Sequence, residues 1–198
     1  MTSFFGSSNW FSSYTLFLIF EIVYSIWIFS EIINNIISAK NSGGKRKDKG
    51  SYWVVISGIF LSIIISFIFR EENLGSSINN LQIVGICLIV LGILIREWAI
   101  FTLGKGFTVK VHVQEKGKLI MNGPYKIVRH PSYTGSLLAL IGLPLALGTW
   151  LGAIILFTIM IIVLSYRINV EEKALLEAYG EDYKKYMKKT RRLIPGVY

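Results

Sequence analysis

At 198 residues, 53% hydrophobic and with a mean hydropathy of +0.53, the chain has the composition of one integral membrane domain rather than a soluble one. Its formal net charge of +9 invites a nucleic-acid reading, but the apolar runs argue against it. Basic residues beside membrane spans report orientation and anionic headgroups instead.

In chain order, the N-terminal segment has no basic residue before the first apolar run and no Ala-x-Ala site after it. That run is therefore expected to be retained rather than cleaved as a signal. It covers Tyr14–Ile37 and is interrupted by Glu21 and Glu31. The basic loop Asn41–Gly50 follows, then Tyr52–Phe69, about 18 residues without a charge. After a turn at Gly75–Ser77 comes Ile78–Thr102, with Arg96 and Glu97 near its end and Cys87 mid-span. The single cysteine excludes an intrachain disulfide and is read as packing. Tyr133–Leu147 and Thr149–Tyr166 are two shorter runs joined at Gly148. A spanning helix needs about 20 residues, with roughly 17 as the lower limit, so the fourth run suffices only if it starts near His130. These runs predict an all-α membrane protein of about five spans, the last two being open to a thinned or tilted hairpin. No internal repeat is present, and the Gly-Val-Tyr C-terminus is no prenylation signal.

Lys and Arg orient these spans. The segment after the first span holds five, the segment between the third and fourth six, and the segment from Arg167 onward eight, so 19 of 21 lie on alternate, same-side segments. The positive-inside rule places that side in the cytoplasm, with the N-terminus outside.

Two polar segments stand out. Gly123-Pro-Tyr-Lys-Ile-Val-Arg-His-Pro-Ser-Tyr-Thr-Gly135 precedes the last hairpin, and Arg167-Ile-Asn-Val-Glu171-Glu172 follows it. Tyr125, Arg129, His130, Arg167 and Glu171 are thus gathered at one end of a short hairpin. Such groups are costly at a bilayer boundary unless they meet water, one another or a ligand. Other chemistries have little support. Gly104-Lys-Gly106 lacks a third glycine and a βαβ context, and no Gly-x-Ser-x-Gly elbow exists. With two histidines and no Cys/His cluster, no protein-bound metal is expected.

Together with Tyr179-Gly-Glu-Asp-Tyr183-Lys-Lys-Tyr186 and Pro195, these segments resemble the isoprenylcysteine carboxyl methyltransferase family over roughly residues 104–195. The family comprises integral membrane S-adenosylmethionine-dependent enzymes and is related to the phospholipid methyltransferases. The first hundred residues match only as membrane spans. The chain is shorter than the eukaryotic pattern and has fewer spans, as in a prokaryotic-type member. The resemblance implies methyl esterification of a prenylated cysteine carboxylate, with S-adenosyl-L-homocysteine as product. The acceptor would come from the bilayer, to an enzyme of the cell membrane in a prokaryote or the endoplasmic reticulum in a eukaryote. It also implies a three-span membrane region over 1–103 and a catalytic region over 104–198, forming one integrated domain. Partners are then membrane lipids and a lipidic or prenylated-cysteine substrate, not nucleic acid.

Such a reaction asks more for positioning than for acid–base work. A carboxylate nucleophile is already ionised at pH 7, so the protein must align donor and acceptor and exclude water. Pro131 suits the first position of the fourth helix, where its missing N–H would be unbonded anyway. Arg129 and His130 then sit at a helix N-terminus, which favours an anion such as the cofactor's carboxylate. The alternative for His130 is helix capping alone. Arg167 and Glu171, four apart, share a helix face. Either they form an intrahelical salt bridge, or Glu171 meets the cofactor while Arg167 binds the acceptor carboxylate bidentately. Glu172, about 100° around the helix, is read as structural, and Arg96 and Glu97 as a local pair. By resemblance, Gln114, Lys118, Leu119, Ile120 and Tyr125 join His130, Pro131, Ser132, Tyr133 and Glu171 in the cofactor shell, whereas His112 is structural. Leu175, Tyr179, Tyr183 and Tyr186 recur at helical spacing opposite Lys184, Lys185, Lys188 and Lys189, with Gly180 placed to split the helix. This stripe reads as packing or a membrane-surface seat rather than a cofactor box, though in the family the tail closes over the cofactor. Rival readings are phospholipid (phosphatidylethanolamine) N-methylation and a non-enzymatic membrane scaffold.

Overall fold

A computed structural model describes residues 2–3, 6–7, 10–41, 45–46, 50–76, 80–107, 112–113 and 119–196. Among the described residues five α-helices make up the fold: α1 Tyr14–Asn41, α2 Ser51–Glu71, α3 Asn80–Leu103, α4 Pro131–Ala146 and α5 Trp150–Lys189. Two short 3-10 turns, at Gly104–Gly106 and Gly123–Lys126, lie between α3 and α4. The chain is an all-α, multi-pass membrane protein. α1, α2, α3 and α5 are each long and apolar enough to cross a bilayer. Large apolar side chains point outward from all four, among them Ile22 and Phe29, Phe60, Leu94 and Phe101, and Ile162. In water such a surface would be unstable; against lipid it costs nothing.

The fourth helix is the short one. Its 16 residues fall just below a full span. Few of them need to match the lipid, because α4 is buried along most of its length against α3. The two helices meet backbone to backbone through small residues. A Cβ on Gly92 would lie 2.6 Å from Ala139 N, and one on Gly142 would lie 2.6 Å from Gly85 O. Gly85 and Gly92 on α3 and Gly135 and Gly142 on α4 recur at seven-residue spacing, which keeps the contact on one stripe of each helix. Without a hydrophobic force between helices in lipid, close backbone approach of this kind supplies the association. A second seam joins α2 to α5, where a Cβ on Gly58 would lie 3.0 Å from Val163 Cγ2.

The opposite ends of the bundle alternate as the charge count requires. At one end, the α2–α3 turn bridges the α4–α5 link. Trp150 N donates to Gly75 O at 3.1 Å, and Ser76 pairs with Thr149. At the other, the loop after α1 pairs with the connector before α4, through β3 Lys45–Arg46 and β4 His112–Val113, after a first pair β1 Thr2–Ser3 and β2 Gly6–Ser7 near the N-terminus.

α5 has 40 residues, about 60 Å at 1.5 Å per residue and twice the hydrocarbon thickness. Its apolar part ends near Tyr166, so the stretch from Arg167 lies beyond the spanning segment. Gly180 breaks the helix as expected, at φ 51° and ψ −122°. Nothing lies within 4 Å of where its Cβ would stand, so glycine is needed there for conformation rather than space.

Candidate active site

Pro131 is the first residue of α4, and the His130 carbonyl accepts from Tyr133 N at 3.0 Å and Thr134 N at 3.1 Å. The His130 side chain makes no cap bond; its buried ring stacks on Tyr133 with centroids 5.6 Å apart. It stands between the two acids, with Nδ1 3.9 Å from Glu171 Oε2 and Nε2 3.4 Å from Glu172 Oε1.

The two acids have different environments, as adjacent residues on a helix must. Glu172 is buried. It accepts from Arg129 Nε at 2.9 Å and from Arg192 Nη2 at 2.8 Å. Burial alone would raise its pKa, but His130 and then Arg129 outweigh that and hold it at about 2. Glu171 keeps 28% of its side chain exposed and accepts from the Tyr133 hydroxyl at 2.7 Å. The same hydroxyl accepts from Arg167 Nε at 3.1 Å. Arg167, 2% exposed, also donates through Nη1 to the Ser51 hydroxyl of α2. Tyr133 thus stands between Arg167 and Glu171.

The tail closes this end. Arg129 N donates to Arg191 O at 2.7 Å and His130 N to Arg192 O at 3.0 Å, while Leu193 is fully buried. The Arg129 guanidinium also reaches the carbonyls of Met187 and Thr190. Arg129 is therefore committed to holding the tail rather than facing a ligand. Tyr125 is buried, its hydroxyl 3.4 Å from Ala99 O. Tyr186 donates to Tyr125 O at 2.7 Å, and burial against the opposing effect of Arg129 pushes its phenol up to about 12. Tyr183 is also buried, so the aromatic stripe packs the tail against the body. Leu175 and Tyr179 are half-buried. Beside them an open groove of about 540 Å³ is lined by Leu119, Met121, Tyr179, Asp182, Lys185, Tyr186 and Lys189. Ile120 is half-buried and does not line the groove; Gln114 and Lys118 lie outside the described residues.

One expectation is corrected. Arg96 and Glu97 do not pair with each other, because neighbours on a helix diverge by about 100°. Arg96 pairs with Glu31 of α1 and hydrogen-bonds Ser132, while Glu97 accepts from Asn34 at 2.7 Å. Sequence reasoning also missed Ser51 and Arg192. Their partners lie 116 and 20 residues away, and no local pattern marks either.

Comparison with known proteins gives a consistent result. The model of the isoprenylcysteine carboxyl methyltransferase family matches residues 84–177. A probable protein-S-isoprenylcysteine O-methyltransferase of Oryza sativa is 32% identical over 116 residues, 58% of this chain and 61% of that protein. The Bacillus subtilis protein YpbQ, uncharacterised by name, is 32% identical over 119 residues, 60% of this chain and 68% of its own length. The solved structure of a eukaryotic intramembrane Ras methyltransferase, an isoprenylcysteine carboxyl methyltransferase, superposes with a TM-score of 0.59 at 26% identity, covering 72% of this chain and 52% of that one. The chain thus spans about six-tenths of the length of the rice relative and about half that of the solved structure.

Proposed function

We propose that this chain, which belongs to the isoprenylcysteine carboxyl methyltransferase family, methylates the carboxylate of an isoprenylated cysteine or similar lipidic acid, using S-adenosyl-L-methionine. The observation that carries the reading is the Arg167–Tyr133–Glu171 cluster, a buried guanidinium and a partly exposed carboxylate joined through one hydroxyl. The groove fits a small-molecule cofactor by size. Its walls carry Leu119 of the connector with Tyr179 and Tyr186 of the tail, while His130, Tyr133 and Glu171 stand outside its lining. Leu119, Ile120, Tyr125, His130, Pro131, Ser132, Tyr133 and Glu171 would hold the cofactor, with Gln114 and Lys118 from the connector. When bound, the cofactor supplies an electrophilic methyl group on a sulfonium.

The protein's own part is placement. Glu171 presents negative charge toward the cofactor's cationic or hydroxyl-bearing portion. Arg167 binds the acceptor carboxylate, its plane held by Tyr133 at Nε and Ser51 at Nη1. No general base is required, since the acceptor is already ionised. Burial of Arg167 excludes water from the approach. Residues 104–198 form the catalytic region and 1–103 the membrane region of one integrated domain. The basic end faces the cytoplasm. A membrane-impermeant label should reach the C-terminal tail only after cells are opened; labelling of intact cells would reverse this orientation.

The test supplies purified protein with labelled S-adenosyl-L-methionine and two acceptors, a farnesylated cysteine analogue and phosphatidylethanolamine. Label should enter the cysteine analogue as a base-labile ester. Arg167→Ala should reduce that turnover by about a hundredfold or more, with S-adenosyl-L-homocysteine affinity nearly intact, and lysine should rescue it poorly. Label in phosphatidylethanolamine alone would identify an N-methyltransferase, and no cofactor binding at all would indicate a scaffold.

A further inference from the structure

Resting on that reading, we infer that Arg96 is a positioning residue that sets the first turn of α4 and is itself set by Glu31 of α1. Ser132 and Tyr133 stand on that turn. Arg96 Nη1 donates to Ser132 Oγ at 2.9 Å and Ser136 Oγ at 2.7 Å, and reaches Ser132 O at 3.4 Å. The other edge of the guanidinium faces Glu31, with Nη2 2.8 Å from Oε2 and Nε 2.5 Å from Oε1. Ser136 Oγ in turn donates to Ser132 O at 3.1 Å.

The pair is not needed to hold α3 against α4. The glycine stripe already brings those backbones into contact, and a Cβ on Gly135 would lie 2.7 Å from Arg96 N. What the glycines leave free is the side-chain setting of the turn above them. A planar guanidinium suits that task because it addresses a carboxylate along one edge and two hydroxyls from another, which an ammonium cannot do at once. Glu31 and Asn34 reach α3 from one face of α1, bonding Arg96 and Glu97 respectively. The first span therefore serves the site as well as anchoring the chain. A charged pair in a span is costly and is kept where it has a function.

The experiment is calorimetric titration of S-adenosyl-L-homocysteine into detergent-purified wild type, Arg96→Lys, Glu31→Gln, Ser136→Ala and the Arg96→Lys/Ser136→Ala double variant, with the melting temperature of each. Arg96→Lys should weaken binding about tenfold or more, and Glu31→Gln severalfold. The losses in the double variant should be less than additive, because both changes remove the Arg96–Ser136 contact. Lower melting temperatures with unchanged affinity would make the pair merely structural and overturn the inference, as would additive losses in the double variant. If wild type itself fails to bind, the proposed function falls and this inference with it; wild-type binding with unaltered variants removes this inference alone.

Discussion

The two ends of the bundle are closed by different means. Away from the site, closure is made mostly by neutral groups. Thr149 Oγ1 donates to Leu74 O at 2.9 Å and accepts from Gly152 N at 3.1 Å. Gln82 Nε2 and Arg70 Nη2 both donate to the Trp10 carbonyl, and Arg70 is the buried ionised side chain among the described residues there. At the site end, Glu172, Arg129, Arg192 and Arg167 are drawn together, with Glu31 and Arg96 one helix turn inward. Burying such ions costs several kcal/mol each before any pairing. The other end is closed with one buried charge among the described residues, Arg70, whereas here Arg129, Glu172 and Arg192 hold the tail against the body. Buried Arg167 and the partly exposed Glu171, joined through Tyr133, are the physical argument for a ligand.

The largest expected effect tests whether those charges also support the fold. Glu172→Ala leaves Arg129 and Arg192 without their shared carboxylate and should cost about 3–5 kcal/mol in detergent unfolding titrations. The same carboxyl gives a pH signature. Its folded pKa of about 2 lies below the ordinary 4.5, so its contribution is full above pH 4.5 and fades as pH falls toward 2. Glu172→Gln should remove that part of the acid dependence; identical acid profiles for the two proteins would mean that the carboxyl is not held down in the fold.

Next in size are the groups proposed to face the cofactor. His130→Ala and Glu171→Ala should each weaken S-adenosyl-L-homocysteine binding by about ten- to a hundredfold, the loss of one charge-assisted hydrogen bond. Full affinity in both variants would return His130 and Glu171 to a structural role. The smallest effect belongs to the neutral end. Thr149→Ala removes the α5 cap and should cost about 1 kcal/mol, leaving cofactor affinity unchanged. A Thr149 variant that lost affinity would show the two ends to be coupled and weaken the contrast drawn between them.

Much of the architecture was legible in the chain. Hydropathy and the distribution of Lys and Arg announce the spans and their alternation, because a bilayer imposes its length and charge rules on each segment separately. Pro131 opening α4 and Gly180 breaking α5 follow equally from local backbone chemistry. The motif residues Arg129, His130, Arg167 and Glu171 identify the end of the bundle where the chemistry lies. Only the tertiary structure decided what each of them touches. Glu172 and Glu171 are neighbours in sequence, yet one is sealed among arginines and the other meets Tyr133 at a partly open edge. Arg96 bonds α1 and α4 rather than its neighbour Glu97, Ser51 comes from the start of α2 to hold Arg167, and Gly85 and Gly92 find their partners on α4. Each of these pairings depends on how segments separated by 20 to 116 residues lie side by side. Periodicity shows which face a residue occupies, whereas its partner is set by the packing of another helix against that face.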